Sequence, residues 1–376
     1  MGSTLIKFVR IFDGLRILEQ QNVTIRGGLT FLNDYGNASE IINGSGMTLF
    51  PGLWDTHVHL SETQPFPTEQ DAPQLDMTKH GITTAIECGR MSKSEHELNN
   101  VTEGFPEVYY AGNFATSTGS LHSTFPSVDE DNIVDTIEDA TRFVQRRVAE
   151  GADYVKIVAD NPGPSQEVID QLSREAQLHG KLTIVHAARK KAFEMALSAN
   201  PPVNFITHVP LDVPISREDA DKMAELQITA IPTLVMEEAL AKSGMIPGAR
   251  LEAALESVQH MIAAGVHVLV GTDSNGSLIG PRHGEAILRE MELLQQVGMK
   301  PLDVLRAATQ LSAQCFKKDD SRGTIAAGMR ADVVLVEGDP TKDLGCLTKV
   351  KKVWKAGKVI YSVKEDDDVD ASDFSI

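Results

Sequence analysis

Two histidines one residue apart, His57 and His59, close the stretch TLFPGLWDTHVHL between Thr48 and Leu60. Neutral imidazole is the commonest side-chain ligand for a divalent metal near pH 7. On a strand, residues i and i+2 point the same way, so one strand end can offer both rings to one ion. An H-x-H pair is weak by itself, because histidines fall two apart by chance. Its weight depends on further ligands. Lys156 sits in ADYVKIVAD, His186 in LTIVHAA, His208 in VNFITHVP and Asp273 in VHVLVGTDS. Each follows a short apolar or β-branched run of strand length. Nitrogen and oxygen donors at the ends of five separate runs are the ingredients of a metal site.

Such residues need a scaffold that brings strand ends together. Strand-like runs recur at 48–57, 82–87, 107–112, 153–159, 182–187, 203–208, 227–232 and 266–272. Helical periodicity marks 131–150, 165–179, 215–226 and 250–264. Strands alternating with helices imply parallel βα units, and eight of them predict a closed (β/α)8 TIM barrel of the α/β class. An open doubly wound sheet is the competing architecture, but no glycine-rich dinucleotide turn follows the first strand. Barrel enzymes carry their chemistry at the C-terminal ends of the strands. The candidate ligands fall at the ends of runs one, four, five, six and eight.

The chain ends have a different texture. Residues 1–50 contain short strands and turns (VTIRGG, DYGNAS, INGSG), and residues 324–363 repeat it in DVVLVEGD and VKKVWKAGKVIYS. Neither part has enough apolar surface to fold alone. The expectation is a small composite β-sandwich of 1–50 and 324–363, a metal-binding barrel over 51–323, and a mobile acidic tail at 364–376.

Composition narrows the partners. A hydrophobic content of 41% over 376 residues supplies a large core. A formal net charge of −18 argues against nucleic acid and anionic membranes. No apolar run approaches the roughly 18 residues of a membrane helix. Cys88, Cys315 and Cys346 form no paired spacing, which fits a reducing compartment. With no secretion signal in MGSTLIKFVRIFDG, the expected location is cytoplasmic.

From about residue 5 to about residue 362 the chain resembles the metal-dependent amidohydrolase superfamily. The matching elements are PGLWDTHVHL, Lys156, His186, His208, GTDS at 271–274, HGEAILREMELLQQVGMKPLDVLRAAT at 283–309 and GTIAAGMRADVVLVEGD at 323–339. It is most similar to the imidazolonepropionase-like and prolidase-like branch, which includes dipeptidases and a fungal mycotoxin amidase. The resemblance also implies the composite β-sandwich, and a homo-oligomer of unspecified size.

It further implies how a lysine can join a metal site. A neutral amine adds carbon dioxide to give a carbamate, whose two oxygens can bridge two divalent ions. On this pattern His57, His59 and Asp273 hold one ion, His186 and His208 the other, and Lys156 bridges them as carbamate. Zinc is the expected metal. Two such ions share a hydroxide that attacks a carbonyl carbon, and Asp273 moves its proton to the departing nitrogen. The plainer reading of Lys156 is a side chain snorkelling from a strand end.

His122, in ATSTGSLHSTF after the third run, is a candidate donor to a substrate carbonyl or oxyanion. Tyr154 shares the face of Lys156, and His283 follows the eighth run; both are candidate substrate contacts. Arg189 and Arg282 each offer a guanidinium for a substrate carboxylate, against the plainer reading of surface or helix-end charges. His80, His96, His179, His260 and His267 read as structural.

The resulting expectation is a binuclear hydrolase of a small-molecule amide: a dipeptide, an N-acyl amino acid or an aryl amide. A mononuclear imidazolone hydrolase or deaminase is the alternative. Such deaminases usually carry a glutamate beside the strand-five histidine, whereas Ala187, Ala188 and Arg189 follow His186. Lactonase and esterase chemistry would use the same ligands. A non-enzymatic scaffold would tend to have lost some of them.

Overall fold

Strands and helices alternate through the middle of the chain, as the apolar periodicity requires. The computed structural model describes residues 2–61, 72–126 and 128–363; the acidic tail at 364–376 lies outside the described residues. Leu53–Val58, Ile82–Glu87 and Glu107–Tyr110 form one parallel sheet. Tyr154–Val158, Leu182–His186, Phe205–Thr207 and Thr229–Ile231 form another. Backbone bonds join the two sheets on both flanks. Ala115 bridges Ile157 in parallel, and its N–H donates to Lys156 O at 2.9 Å. On the far side the stretch after Val266 bridges Ala230 through Val268, and Val58 through Ser274.

That stretch was expected as an eighth strand, yet it holds only isolated bridges. A side chain takes part of its ladder: Thr272 N–H donates to the Asp55 carboxyl at 3.0 Å and not to a carbonyl.

Leu53–Val58, Ile82–Glu87 and Tyr154–Val158 are buried along their whole length, because apolar atoms cover both faces. The helices supply the outer layer. In Ile137–Glu150, Ala140, Phe143, Val144 and Arg147 are buried at i, i+3, i+4 and i+7. Thr136 and Asp139 cap its start reciprocally, and Gly151, at φ 85°, ends it.

The first strand-like run divides at Gly52. Met47–Pro51 belongs to a sheet of the chain ends, and Leu53–Val58 to the parallel sheet. A Cβ on Gly52 would stand 2.1 Å from Thr83 Oγ1, so only glycine lets the chain cross between sheets here.

Both ends of the chain pair in one eight-stranded mixed sheet. Met47–Pro51 lies antiparallel to Val333–Glu337 and parallel to Thr4–Phe12. Ile6, Val9, Ile11, Leu49, Val333 and Trp354 pack together on it. A part-buried ion network ties this sheet to the parallel one. Glu107 meets Arg322 at 3.0 Å and Arg330 at 2.6 Å, and Arg330 also reaches Asp332 at 3.0 Å. Burial pushes the Glu107 carboxyl up, but the two guanidiniums bring it down to about 2. All three cysteines are free thiols, and no described helix is long and apolar enough to cross a membrane.

Candidate active site

Parallel strands end together, so the residues closing them converge. His57 Nε2 lies 3.3 Å from His59 Nε2, 3.2 Å from Lys156 Nζ and 3.4 Å from Asp273 Oδ1. Asp273 Oδ1 is also 3.0 Å from His59 Nε2. The His208 ring centre is 5.0 Å from that of His57 and 4.3 Å from that of His186. All six residues expected to bind metal therefore meet at one end of the parallel strands.

Neighbouring backbone holds each one in place. Asp273 N–H donates to His57 O at 2.8 Å, and His59 N–H to Ser274 O at 2.8 Å. His208 N–H donates to Ile231 O at 2.9 Å, and Ala159 N–H to His186 O at 2.9 Å. His208, Thr233 and Asp273 adopt left-handed backbone, at φ 70°, 48° and 55°. Non-glycine residues in that region cost about 1 kcal/mol or more each, and such strain gathers at functional sites.

Burial holds the imidazoles of His57, His186 and His208 well below their ordinary pKa. The positive charge of Lys156 reinforces this at His57 and His208, and that of His208 does so at His186. These rings are thus neutral donors. The His208 ring is fixed from behind, with Nδ1 2.9 Å from Thr233 Oγ1 and 3.3 Å from Glu237 Oε1. Glu237 is fully buried, and burial, followed by the charges of Asp273 and Glu290, raises its carboxyl well above the ordinary value.

A second group stands beside the first. His122, Asp160 and His186 bring one donor atom each within 4.8 Å of one another, as do His57, His208 and Asp273. Asp160 Oδ2 is 2.7 Å from His122 Nδ1, and Oδ1 is 3.9 Å from His186 Nε2. Burial pushes the Asp160 carboxyl up, but the hydrogen bond and charge of His122, with His186, bring it below its ordinary value.

A cavity of about 360 Å³ opens over these groups. His57, His59, His122, Lys156, Asp160, His186, His208, Glu237 and Asp273 all line it. Its wall is otherwise mainly apolar, with Phe114, Leu121, Phe125, Leu211, Met236 and Leu240.

Tyr154 and His283 do not line the cavity, contrary to expectation. Tyr154 does share the inward face of Lys156, but it starts its strand, and its ring packs 5.3 Å from Phe316 at the other end. His283 is buried next to His59 but is not part of the cavity wall; burial, then the charge of His59, lowers it to about 4. His80, His96 and His260 bond backbone carbonyls of Asp76, Val108 and Ile215. Asp160 and Glu237 were not expected at all. The one signal for Asp160 was an acid just past the strand of Lys156.

The amidohydrolase family model matches residues 48–365. Ochratoxinase of Aspergillus niger is 24% identical over 371 residues, covering 83% of this chain and 75% of its own. Imidazolonepropionase of Fusobacterium nucleatum is 21% identical over 392 residues, covering 93% and 92%. Among solved structures, a Xaa-Pro dipeptidase with methionine bound in its active site superimposes with a TM-score of 0.80 at 22% identity, covering 96% of this chain and 100% of its own.

Proposed function

The chain belongs to the amidohydrolase family, a metal-dependent family of hydrolases acting on carbon–nitrogen bonds, and on that premise we propose that it cleaves the amide bond of a small molecule at a binuclear metal centre. The reading is carried by one observation: a second imidazole, a lysine amine and a carboxylate, those of His59, Lys156 and Asp273, each lie within 3.4 Å of His57 Nε2. In this reading the joined parallel sheets close as a (β/α)8 barrel over residues 51–323. The segments 1–50 and 324–363 make the composite β-sandwich.

The donor set fits divalent metal. The buried imidazoles are neutral, and a carboxylate supplies negative charge. His57, His59 and Asp273 would hold one ion and His186 and His208 the other, with Lys156 spanning them as carbamate. Zinc suits these ligands. Two divalent ions bound there supply Lewis acidity and lower the pKa of water toward neutrality. Asp273 takes the water proton and returns it to the departing nitrogen as the C–N bond breaks. His122, anchored at Nδ1 by Asp160, presents Nε2 to the substrate carbonyl oxygen. Thr233 and Glu237 fix the ring of His208. The products are a carboxylic acid and an amine. Dipeptides, N-acyl amino acids and aryl amides are the substrate class of this reading, and the likeness to ochratoxinase supports amide hydrolysis in general.

A second reading has one observation in its favour. A mononuclear ring hydrolase or deaminase uses an acid beside the His186 position, and Asp160 Oδ1 stands 3.9 Å from His186 Nε2. Lactone and ester cleavage would use the same ligands.

The test is amine release from dipeptides, N-acyl amino acids and aryl amides by zinc-loaded protein, with metal measured on the same sample. Amine release with about two ions per chain is expected. About one ion per chain, with turnover only on cyclic amides or amino-purines, would replace this reading by the mononuclear one.

A further inference from the structure

We infer that Arg189 selects substrates carrying a carboxylate on the amine side of the scissile bond, and that the apolar wall accepts a bulky acyl group. The inference rests on the amide-hydrolase reading and narrows it to N-acyl amino acids with large apolar acyl groups.

Arg189 lines the cavity, is exposed, and has extended backbone at φ −131° and ψ 149° just before the helix Lys190–Leu197. It follows His186 by three positions, a span of at most roughly 10 Å along the chain. Its side chain can therefore reach back toward the metal-ligand cluster.

The groups around it are already engaged. Lys190 is paired with Glu194 at 3.0 Å and Asp219 at 2.6 Å. Asp212, which lines the same stretch of cavity, accepts from Lys190 N–H at 3.0 Å and so caps the helix. No carboxylate among the described residues lies within ion-pair distance of the Arg189 guanidinium. The helix end is closed by the protein's own acid, and the guanidinium of this cavity-lining residue has no carboxylate partner among the described residues.

The surrounding charge makes this cation matter. Asp160 and Asp212 also line the cavity, in a chain of net charge −18. Both are outside the proposed ligand set and repel an incoming anion at the cavity wall, all the more where the dielectric is low. Lys156, the lining side chain with an aliphatic amine, lies deep beside His57. A guanidinium at the wall offers paired N–H groups in the geometry of a carboxylate.

The remainder of the cavity is built for an apolar group. Leu211, Met236, Leu240 and Ile246 form one part of the wall. Leu121 and Phe125 line it while remaining 64% and 37% exposed, leaving apolar surface for a ligand to cover. An α-carboxylate sits one carbon from the scissile nitrogen, and the acyl group lies across the bond from it. One molecule can therefore satisfy both features.

The experiment compares N-benzoyl-phenylalanine with N-benzoyl-phenethylamine, which lacks the carboxylate and nothing else. Both are given to zinc-loaded full chain, as wild type, Arg189→Gln and Arg189→Lys. Wild type should favour the acid by about 30-fold or more in kcat/KM, the scale of one to two charge-assisted hydrogen bonds. Arg189→Gln should remove that preference through KM, leaving turnover of the phenethylamide within about 3-fold and metal content unchanged. Arg189→Lys should restore part of it. Wild-type cleavage of both compounds at equal efficiency would overturn the role of Arg189 and leave the amide-hydrolase reading standing. Equal loss on both compounds in Arg189→Gln would do the same. If fully metallated wild type cleaved neither compound and no other amide, the amide-hydrolase reading would fall and this inference with it.

Discussion

Both oxygens of the Asp55 carboxyl are held by Thr272, whose N–H donates at 3.0 Å and whose hydroxyl donates at 2.7 Å. Asp55 precedes His57 by two residues, and Thr272 precedes Asp273 by one. The pair therefore sets the strand that carries two proposed ligands against the segment that carries a third. Asp55→Ala would leave the Thr272 N–H buried without an acceptor and its hydroxyl with Ser274 Oγ alone, a cost of about 2–3 kcal/mol. Thr272→Val, which removes only the hydroxyl, should cost about 1 kcal/mol. Urea denaturation of the metal-free proteins measures both. Equal losses in the two variants would show that the backbone bond contributes nothing.

Asp273→Asn keeps the shape and an oxygen donor but removes the proton acceptor. Turnover should fall by 10³-fold or more, on the order seen when an essential base is lost, with substrate affinity and metal content affected far less. Single-turnover kinetics with metal analysis on the same sample reads this. Turnover within about tenfold of wild type would end the assignment of Asp273 as the proton carrier.

Lys156→Ala should lose at least one of the two metals and almost all activity. If the side chain acts as a carbamate, a short carboxylic acid added at high concentration can occupy the vacated space and return part of both. Full metal occupancy in Lys156→Ala, measured by elemental analysis, would count against the bridge.

Glu290 predicts a pH dependence away from the ligands. Its side chain accepts from Val235 N–H at 2.7 Å, and burial, with Asp55 also contributing, raises its carboxyl to about 8. An unfolded glutamate titrates near about 4.3. Between these values the folded state holds the proton and the unfolded state does not. Stability therefore falls as pH rises from about 4.3 to about 8, by a few kcal/mol. Glu290→Gln keeps an acceptor and removes the titration. Its urea midpoint relative to wild type, in metal-free protein, should rise between pH 5 and pH 8. A difference independent of pH would show that Glu290 does not titrate in that window.

The proposed ligands were legible because each follows a run whose β-branched, apolar composition marks a strand. Their geometry follows once the strands are parallel. Asp160 and Glu237 were hidden by ordinary surroundings. Asp160 opens the segment DNPGPS, where an acid reads as a turn former. Glu237 stands next to Glu238 in a helix, and adjacent glutamates suggest a solvated face. Here the two diverge: Glu238 pairs with Arg289 at 2.9 Å and Lys242 at 3.0 Å, while Glu237 turns inward to His208. Tyr154 shows another limit. A period of two identifies the face of a strand but not the height along it, so a residue sharing the face of Lys156 lies at the opposite end. The division of the first run at Gly52 was invisible for a related reason, since its apolar pattern continues unbroken through two different sheets.

The pairing of the chain's two ends has a cost during synthesis. Thr48 donates to the carbonyl of Gly338, 290 residues later, so the strand Met47–Pro51 emerges from the ribosome long before its antiparallel partner exists. At about 5–20 residues per second the wait is on the order of 15–60 s. Throughout that interval the early strands present an open hydrogen-bonding edge and the apolar side chains of Val9, Ile11 and Leu49 without their cover. The nascent chain, more than the finished enzyme, is where this architecture is exposed to aggregation and to chaperones.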